Sequence, residues 1–286
     1  MRKKKKQKQK KPKGKFRIAD ILFGMILIIG IGLLLYPSVT NIWNQHTQTH
    51  AISNYNYVTK DLSNKEKTAI WNKALKYNES LKSGGGLHDF TAAERKVYNS
   101  VLDITGTGIM GYIKIPKINV ELPIYHGTSA EVLKAGVGHV EGTSFPTEGK
   151  GVHSAISGHT GMPSSKMFTN ISKLKVGDKF IIHTLDHTLT YEVDKITTVL
   201  PSDMDGLRID KGKNYCTLIT CTPYGVNTHR LLVRGHKVKN TYPEPNISKL
   251  DIITLSMLVA GVILFIYGII KIIKKLSSRK RTRKVK

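Results

Sequence analysis

The chain has 286 residues and a formal net charge of +25, from 45 Lys and Arg against 20 Asp and Glu. That length allows one sizeable domain with additions, and so large a charge invites a nucleic-acid partner. Its distribution argues against one: residues 1–17 hold eleven Lys or Arg and no acid, residues 271–286 hold nine and no acid, and the middle is close to balance. There is no basic DNA-binding face between the tails.

Each basic tail abuts an apolar run. Ile18 to Tyr36 is almost wholly apolar, with Asp20 near its edge, and Ile252 to Ile270 carries no charge. Both are about the ~20 residues a helix needs to cross a bilayer. Lys and Arg flank their outer ends, so the positive-inside rule puts both termini in the cytoplasm and the segment between them outside. The first run is long for the apolar part of a cleaved leader, and no small-x-small site follows it cleanly.

Beyond the first span, His46 to Lys60 is polar and gives little signal. Ser63-Asn64-Lys65-Glu66 is a capping box, which opens a helix. Ile70, Trp71, Ala74 and Leu75 continue it at helical spacing until Gly84-Gly85-Gly86. Thr91-Ala92-Ala93-Glu94 is a second capping box, with His88, Asp89 and Phe90 just before it.

From Gly111 the pattern turns to strands. Gly111 to Ile118, Val120 to His126, Val137 to Thr143 and Val152 to Thr160 are candidates, with Pro116 and Pro123 at edges or bends. Ser164 to Leu174 reads as a short helix with Met167, Phe168, Ile171 and Leu174 on one face. Lys179 to Leu185 and Thr188 to Leu200 form a hairpin about Asp186-His187. Cys216 to Cys221 is a strand, broken by Thr222, Pro223 and Gly225, and Arg230 to Val233 is its antiparallel partner. So many short strands suggest a mainly β protein built as a closed or nearly closed barrel.

Cys221 ends one strand where Arg230 begins the next, so a thiol faces a guanidinium. Fixed positive charge favours the thiolate, the form that attacks carbonyls. A disulfide to Cys216 is excluded on a strand. Five residues put the two thiols on opposite faces, roughly 16 Å apart, and Cys216 reads as a small core residue. Among eleven histidines, His159 has the most suggestive setting. It sits in Ser157-Gly158-His159-Thr160-Gly161, where glycines let a strand end turn tightly. His126, His139, His153 and His229 stand in comparable settings, and spacing alone does not choose among them. His229, beside Arg230, is the main rival as a base. No short metal-binding spacing occurs, and no metal or cofactor is expected.

T-L-I-T-C ending at Cys221, with Arg230 nine residues on, resembles the active-site signature of the sortases. S-G-H-T-G around His159 resembles the histidine motif of that family. The runs G-I-M-G-Y-I-K-I-P-K-I, L-P-I-Y-H-G-T, G-V-G-H-V-E-G-T-S, G-H-T-G-M-P-S-S-K-M-F-T and T-C-T-P-Y-G-V-N-T-H-R-L-L-V-R-G resemble its pilus-type, class C members, densely from Tyr98 to Val238. The resemblance implies an eight-stranded barrel with short helices, and a cysteine transpeptidase with Cys221 as nucleophile, His159 as general acid and base, and Arg230 stabilising the oxyanion or the substrate. Thr220 would assist binding. The implied substrates are pilin or surface proteins bearing an L-P-x-T-G-like signal, cleaved between Thr and Gly. The implied acceptor is a Lys amine of a pilin subunit. The rival acceptor is cell-wall peptidoglycan, and from another class the rival is a non-enzymatic surface adhesin or scaffold.

Class C members carry a lid with Asp-Pro-aromatic over the cleft. Here Asp89 and Phe90 are adjacent, with no Pro between them. Either Asp89 faces Arg230 while Phe90 covers Cys221, or both residues cap and staple the helix that follows. The expected organisation is a basic cytoplasmic tail at 1–17, a transmembrane helix at 18–36, an extracellular helical stalk and lid at 37–97, a catalytic barrel at 98–245, a second transmembrane helix at 250–272 and a basic cytoplasmic tail at 273–286.

Overall fold

A computed structural model describes residues 18–82, 87, 89–162, 165–240, 261 and 268. The second expected span, 250–272, lies outside the described residues apart from Gly261 and Gly268, as do both basic tails.

Helix α1 runs unbroken from Ile18 to Asp61, through Pro37. The expected span is therefore only its first part, and the polar stretch His46 to Lys60 is helix as well. The reason is a stripe that apolar periodicity hides. Gln48, Ile52, Tyr55 and Thr59 recur at helical spacing and all are buried, but two of the four are polar. Ile52 and Tyr55 pack with Ile109 and Tyr112 of the barrel. The Tyr55 hydroxyl donates to the Met110 carbonyl at 3.0 Å and accepts the Leu185 amide at 2.8 Å. The exposed N-terminal part of α1 is long and apolar enough to cross a bilayer, which makes it a candidate membrane anchor.

Helix α2, Asn64–Lys82, starts at the first capping box: the Ser63 amide and hydroxyl both donate to Glu66 Oε2, at 2.8 and 2.6 Å. Two contacts dock it on the barrel. Trp71 stacks on His187, with ring centroids 3.6 Å apart. Buried Asn78 accepts the Phe145 amide at 2.8 Å and donates to the Phe145 carbonyl at 2.9 Å and to Thr147 Oγ1 at 2.8 Å. Helix α3, Ala92–Asn99, opens at the second capping box, with Thr91 and Glu94 bonded reciprocally.

Eight strands close a barrel: β1 Ile109–Ile115, β2 Val120–His126, β3 Val137–His139, β4 Val152–Ser157, β5 Lys179–Thr184, β6 His187–Val199, β7 Asn214–Thr222 and β8 His229–Val238. Their order around the barrel is β1-β2-β3-β4-β7-β8-β6-β5. The β2–β3 and β4–β7 pairs are parallel and the others antiparallel. All eight lie within the expected 98–245. A short helix, α4, Ala130–Ala135, precedes β3 and has no counterpart in the sequence expectations.

Two local expectations change. Ser164 to Leu174 is not an α-helix: its described part is a set of turns with a 3-10 helix at Ile171–Lys173. Met167, Phe168, Ile171 and Leu174 are nevertheless all buried in the core. The β5–β6 turn is Leu185-Asp186 rather than Asp186-His187, because Thr184 pairs with His187 and Leu185 takes a positive φ of 53°.

The Asn78 contacts generate a stability prediction. Asn78→Ala strands three buried backbone and side-chain groups without their partner. Unfolding free energy should fall by about 3 kcal/mol or more, since each of the three orphaned groups costs about 1–3 kcal/mol. Chemical denaturation of the detergent-solubilised chain measures it. An unchanged midpoint would show that Asn78 does not hold α2 to the barrel.

Candidate active site

The site follows from register. In the antiparallel β7–β8 pair, Cys221 lies opposite Arg230, as the sequence pattern predicts. In the parallel β4–β7 pair, Ser157 lies opposite Ile219. β4 ends there, and His159 follows two residues on, past the strand end. Neighbouring strands are about 4.8 Å apart, so the adjacent ends of β4, β7 and β8 bring His159, Cys221 and Arg230 to the same end of the barrel.

Backbone contacts hold this arrangement. The Gly158 amide donates to the Ile219 carbonyl at 3.0 Å, and the Thr220 hydroxyl donates to the Gly158 carbonyl at 2.7 Å. Both polar groups of the residue before His159 are thus tied to the two residues before Cys221. Only glycine fits there, since a Cβ at 158 would lie 2.8 Å from the Phe168 ring and 2.9 Å from Val137. On the other side, the His159 carbonyl accepts the Phe168 amide at 3.0 Å. Gly161, at a φ of +74°, has the Tyr224 ring 3.3 Å from where its Cβ would stand. Thr220 is buried, and its hydroxyl serves this backbone clamp.

Arg230 is half-buried, and its Nη1 donates to the carbonyls of Asn227 and His229 at 3.3 and 3.1 Å. Cys221 and His159 are half-buried as well. The floor behind them is apolar: Ala155 of β4, Ile219 of β7 and Leu232 of β8 form a cluster with Leu207, flanked by Val140 and Val199. These positions share the strand face of Cys221. Leu218 and Val233 face the core on the other side. Burial on both faces is why β7 reads as a continuous apolar run.

The rival histidines have structural partners. His126 sets its two ring nitrogens against the carbonyls of Gly108 and Val101, at 2.9 and 2.6 Å. His153 bonds the Arg208 carbonyl and Thr217 Oγ1. His139 is fully buried between the Tyr98 hydroxyl and the Ser144 carbonyl, and burial pulls its pKa down to about 3, leaving it neutral. His229 pairs with Thr222, and alternation puts it on the opposite face from Arg230. Its Nδ1 meets Thr228 Oγ1 at 2.9 Å. Both cysteines are free thiols. Cys216 belongs to the core, where burial pushes its thiol pKa up.

The segment before α3 is described at Leu87, Asp89 and Phe90. His88 lies outside the described residues. Asp89 is exposed, while Phe90 meets Tyr98 edge-on, at 5.9 Å between centroids. The residue that packs on the groove floor is Leu87, against the Ile219–Leu232 cluster. Without a Pro spacer the Thr91 cap starts the helix at once, and Phe90 is drawn onto Tyr98 of that helix. Leu87 carried no signal in the sequence, being a single apolar residue after three glycines.

Residues 113–238 match the family model described as the sortase domain. Sortase C1 from Streptococcus agalactiae is 52% identical, over 67% of this chain and 99% of that one, with a TM-score of 0.65. Clostridium perfringens sortase C, solved with the C-terminal cell wall sorting motif, is 41% identical over 66% of this chain and 98% of that one, with a TM-score of 0.57. Sortase A of Bacillus anthracis is 31% identical over 46% of this chain. The matches span about 60% of the length of the first such curated relatives. A barrel of this topology, the T-L-I-T-C strand opposite Arg230, and near-complete coverage of pilus-type neighbours place the chain in the sortase family.

Proposed function

We propose that the chain is a membrane-anchored cysteine transpeptidase of pilus type. Cys221 Sγ attacks the carbonyl carbon of Thr in an L-P-x-T-G-like signal. The negative charge that develops on the carbonyl oxygen is stabilised by the Arg230 guanidinium. As the Thr–Gly bond breaks, His159 gives its proton to the departing glycine amine, leaving a thioacyl ester on Cys221. A Lys amine of a pilin subunit then attacks that ester, His159 takes the amine proton, and the thiolate leaves. The product is an isopeptide bond, and the enzyme returns to its starting state.

What supports these roles most is the placement of His159, Cys221 and Arg230 at one end of the barrel, together with the apolar floor of Ala155, Ile219 and Leu232. A groove of that kind suits the Leu and Pro side chains of an extended signal. The similarity to pilus-type structures supports a protein amine as acceptor in preference to peptidoglycan. By this reading, α1 spans the membrane with the barrel outside, 250–272 is a second span, and both termini are cytoplasmic. Leu87, Asp89 and Phe90 belong to a lid, with Leu87 as the inserted side chain.

Two measurements test the reading. Incubated with an L-P-x-T-G peptide, the detergent-solubilised chain should form a thioacyl adduct on Cys221, visible by mass spectrometry. Cys221→Ala should form none. His159→Ala and Arg230→Ala should slow turnover by about 10²–10⁴-fold and about 10²–10³-fold. Turnover that survives Cys221→Ala would end the proposal.

For the lid, an alkylating reagent should modify Cys221 in the folded protein and spare Cys216 until unfolding. Leu87→Ser should raise the Cys221 rate several-fold. The same rate in both proteins would remove Leu87 as a cover for the groove.

A further inference from the structure

Helix α1 acts as a ruler between the bilayer and the barrel. The apolar run ends at Tyr36. Five residues on, about 8 Å along the axis, the Asn41 side chain accepts the Lys166 amide at 3.2 Å. Gln48 follows, donating to the Ala135 carbonyl at 3.3 Å and to Met167 Sδ at 3.5 Å. Tyr55, about 28 Å beyond Tyr36, holds Leu185 at the tip of the β5–β6 hairpin. The hairpin is therefore the far end of the barrel and the Lys166 loop the near end.

The catalytic residues lie at the near end. The Lys166 loop is the one that follows His159 and returns to it through Phe168. From the hairpin, β6 runs back down the barrel until Val199 lies opposite Arg230. The headgroup layer reaches about 5–8 Å beyond the hydrocarbon core on each side, so Asn41 and the Lys166 loop lie at its outer edge, on the same end of the barrel as the Cys221 groove.

The rim of that groove carries exposed apolar side chains among its polar ones. In the β7–β8 loop, Tyr224 is 70% and Val226 65% exposed. On the β6–β7 connection, Leu200 and Met204 are exposed too. Trp43 is 72% exposed on α1, two residues past Asn41, about 10 Å beyond Tyr36 along the axis and so just past the outer edge of the headgroup layer. Tyr224 lies over Gly161, which joins the loop after His159 to the loop after Cys221 in one continuous rim.

We propose that this rim is a lipid-binding surface: the β7–β8 loop and the start of the β6–β7 connection rest in the headgroup layer of the bilayer that α1 crosses. The proposal rests on the reading of α1 as a membrane span. Its occupant is the membrane itself, because the anchor helix brings the rim there without any further partner. The groove would then receive polypeptide signals held close to the membrane surface in preference to free ones.

The test uses the full chain in phosphatidylcholine–phosphatidylglycerol nanodiscs, with and without a nitroxide on the phosphatidylcholine headgroup. Trp43→Phe leaves Trp71 as the native indole, at the hairpin end and beyond the quencher's reach. Tyr224→Trp is then added to that background. The added emission should fall at least about twofold in nitroxide discs, with the Trp71 signal unchanged. Val226→Trp, measured in the same way, replaces Tyr224→Trp if the latter does not fold. Added emission that is quenched no more than Trp71 would overturn the proposal. A chain that does not enter the discs at all would overturn the anchor reading on which it rests.

Discussion

The parallel alignment of β4 with β7 is the constraint on which the site depends. Parallel neighbours cannot be joined by a tight turn, so nothing local in the sequence brings His159 to Cys221. The alignment is held where it matters by Gly158, whose amide and carbonyl are both taken by β7. The close Phe168 ring admits no side chain at that position. Arg230 needs less help. A short loop and an antiparallel ladder carry it to Cys221, and its guanidinium is steadied by two carbonyls of that loop. A groove built in this way keeps its chemistry on backbone geometry, with few side-chain contacts to define it.

Much of this could be read from the chain itself. The β7–β8 pair was legible because a continuous apolar run, a Pro-Gly break and a basic residue all fall within a short stretch. Both capping boxes were legible for the same reason, since their partners are three residues apart. His159 was marked by its glycines, but His126, His139 and His153 are also flanked by small residues. Only burial and ring-nitrogen partners separate them, and those arise from long-range packing. The C-terminal half of α1 was missed because its buried stripe alternates Gln48 and Thr59 with Ile52 and Tyr55, and a hydropathy pattern sees only half of it. The Leu87 contact was missed for a different reason: one apolar residue in a glycine-rich stretch has no periodicity to read.

The helices and the barrel act together more closely than a tether and a domain would. α1 carries both the candidate anchor and the buried Tyr55 that bridges β1 and the β5–β6 hairpin. α2 adds the Trp71–His187 stack and the Asn78 clamp. Packing, rather than a flexible stalk, then fixes how the groove is placed relative to α1. Leu87, which lies between α2 and α3, packs against that groove from the same helical frame.

Alignment of His159 with Cys221 is tested most directly by chemistry between those two positions. In His159→Cys, residues on adjacent strands should have Cα atoms within the range of about 4.4–6.8 Å that a disulfide spans. Mild oxidation should link position 159 to Cys221, detected as a bridged peptide pair by mass spectrometry, with Cys216 left as a free thiol. If both thiols remain separately alkylatable under conditions that oxidise an exposed pair, the two strand ends do not meet and the proposed site is not assembled there.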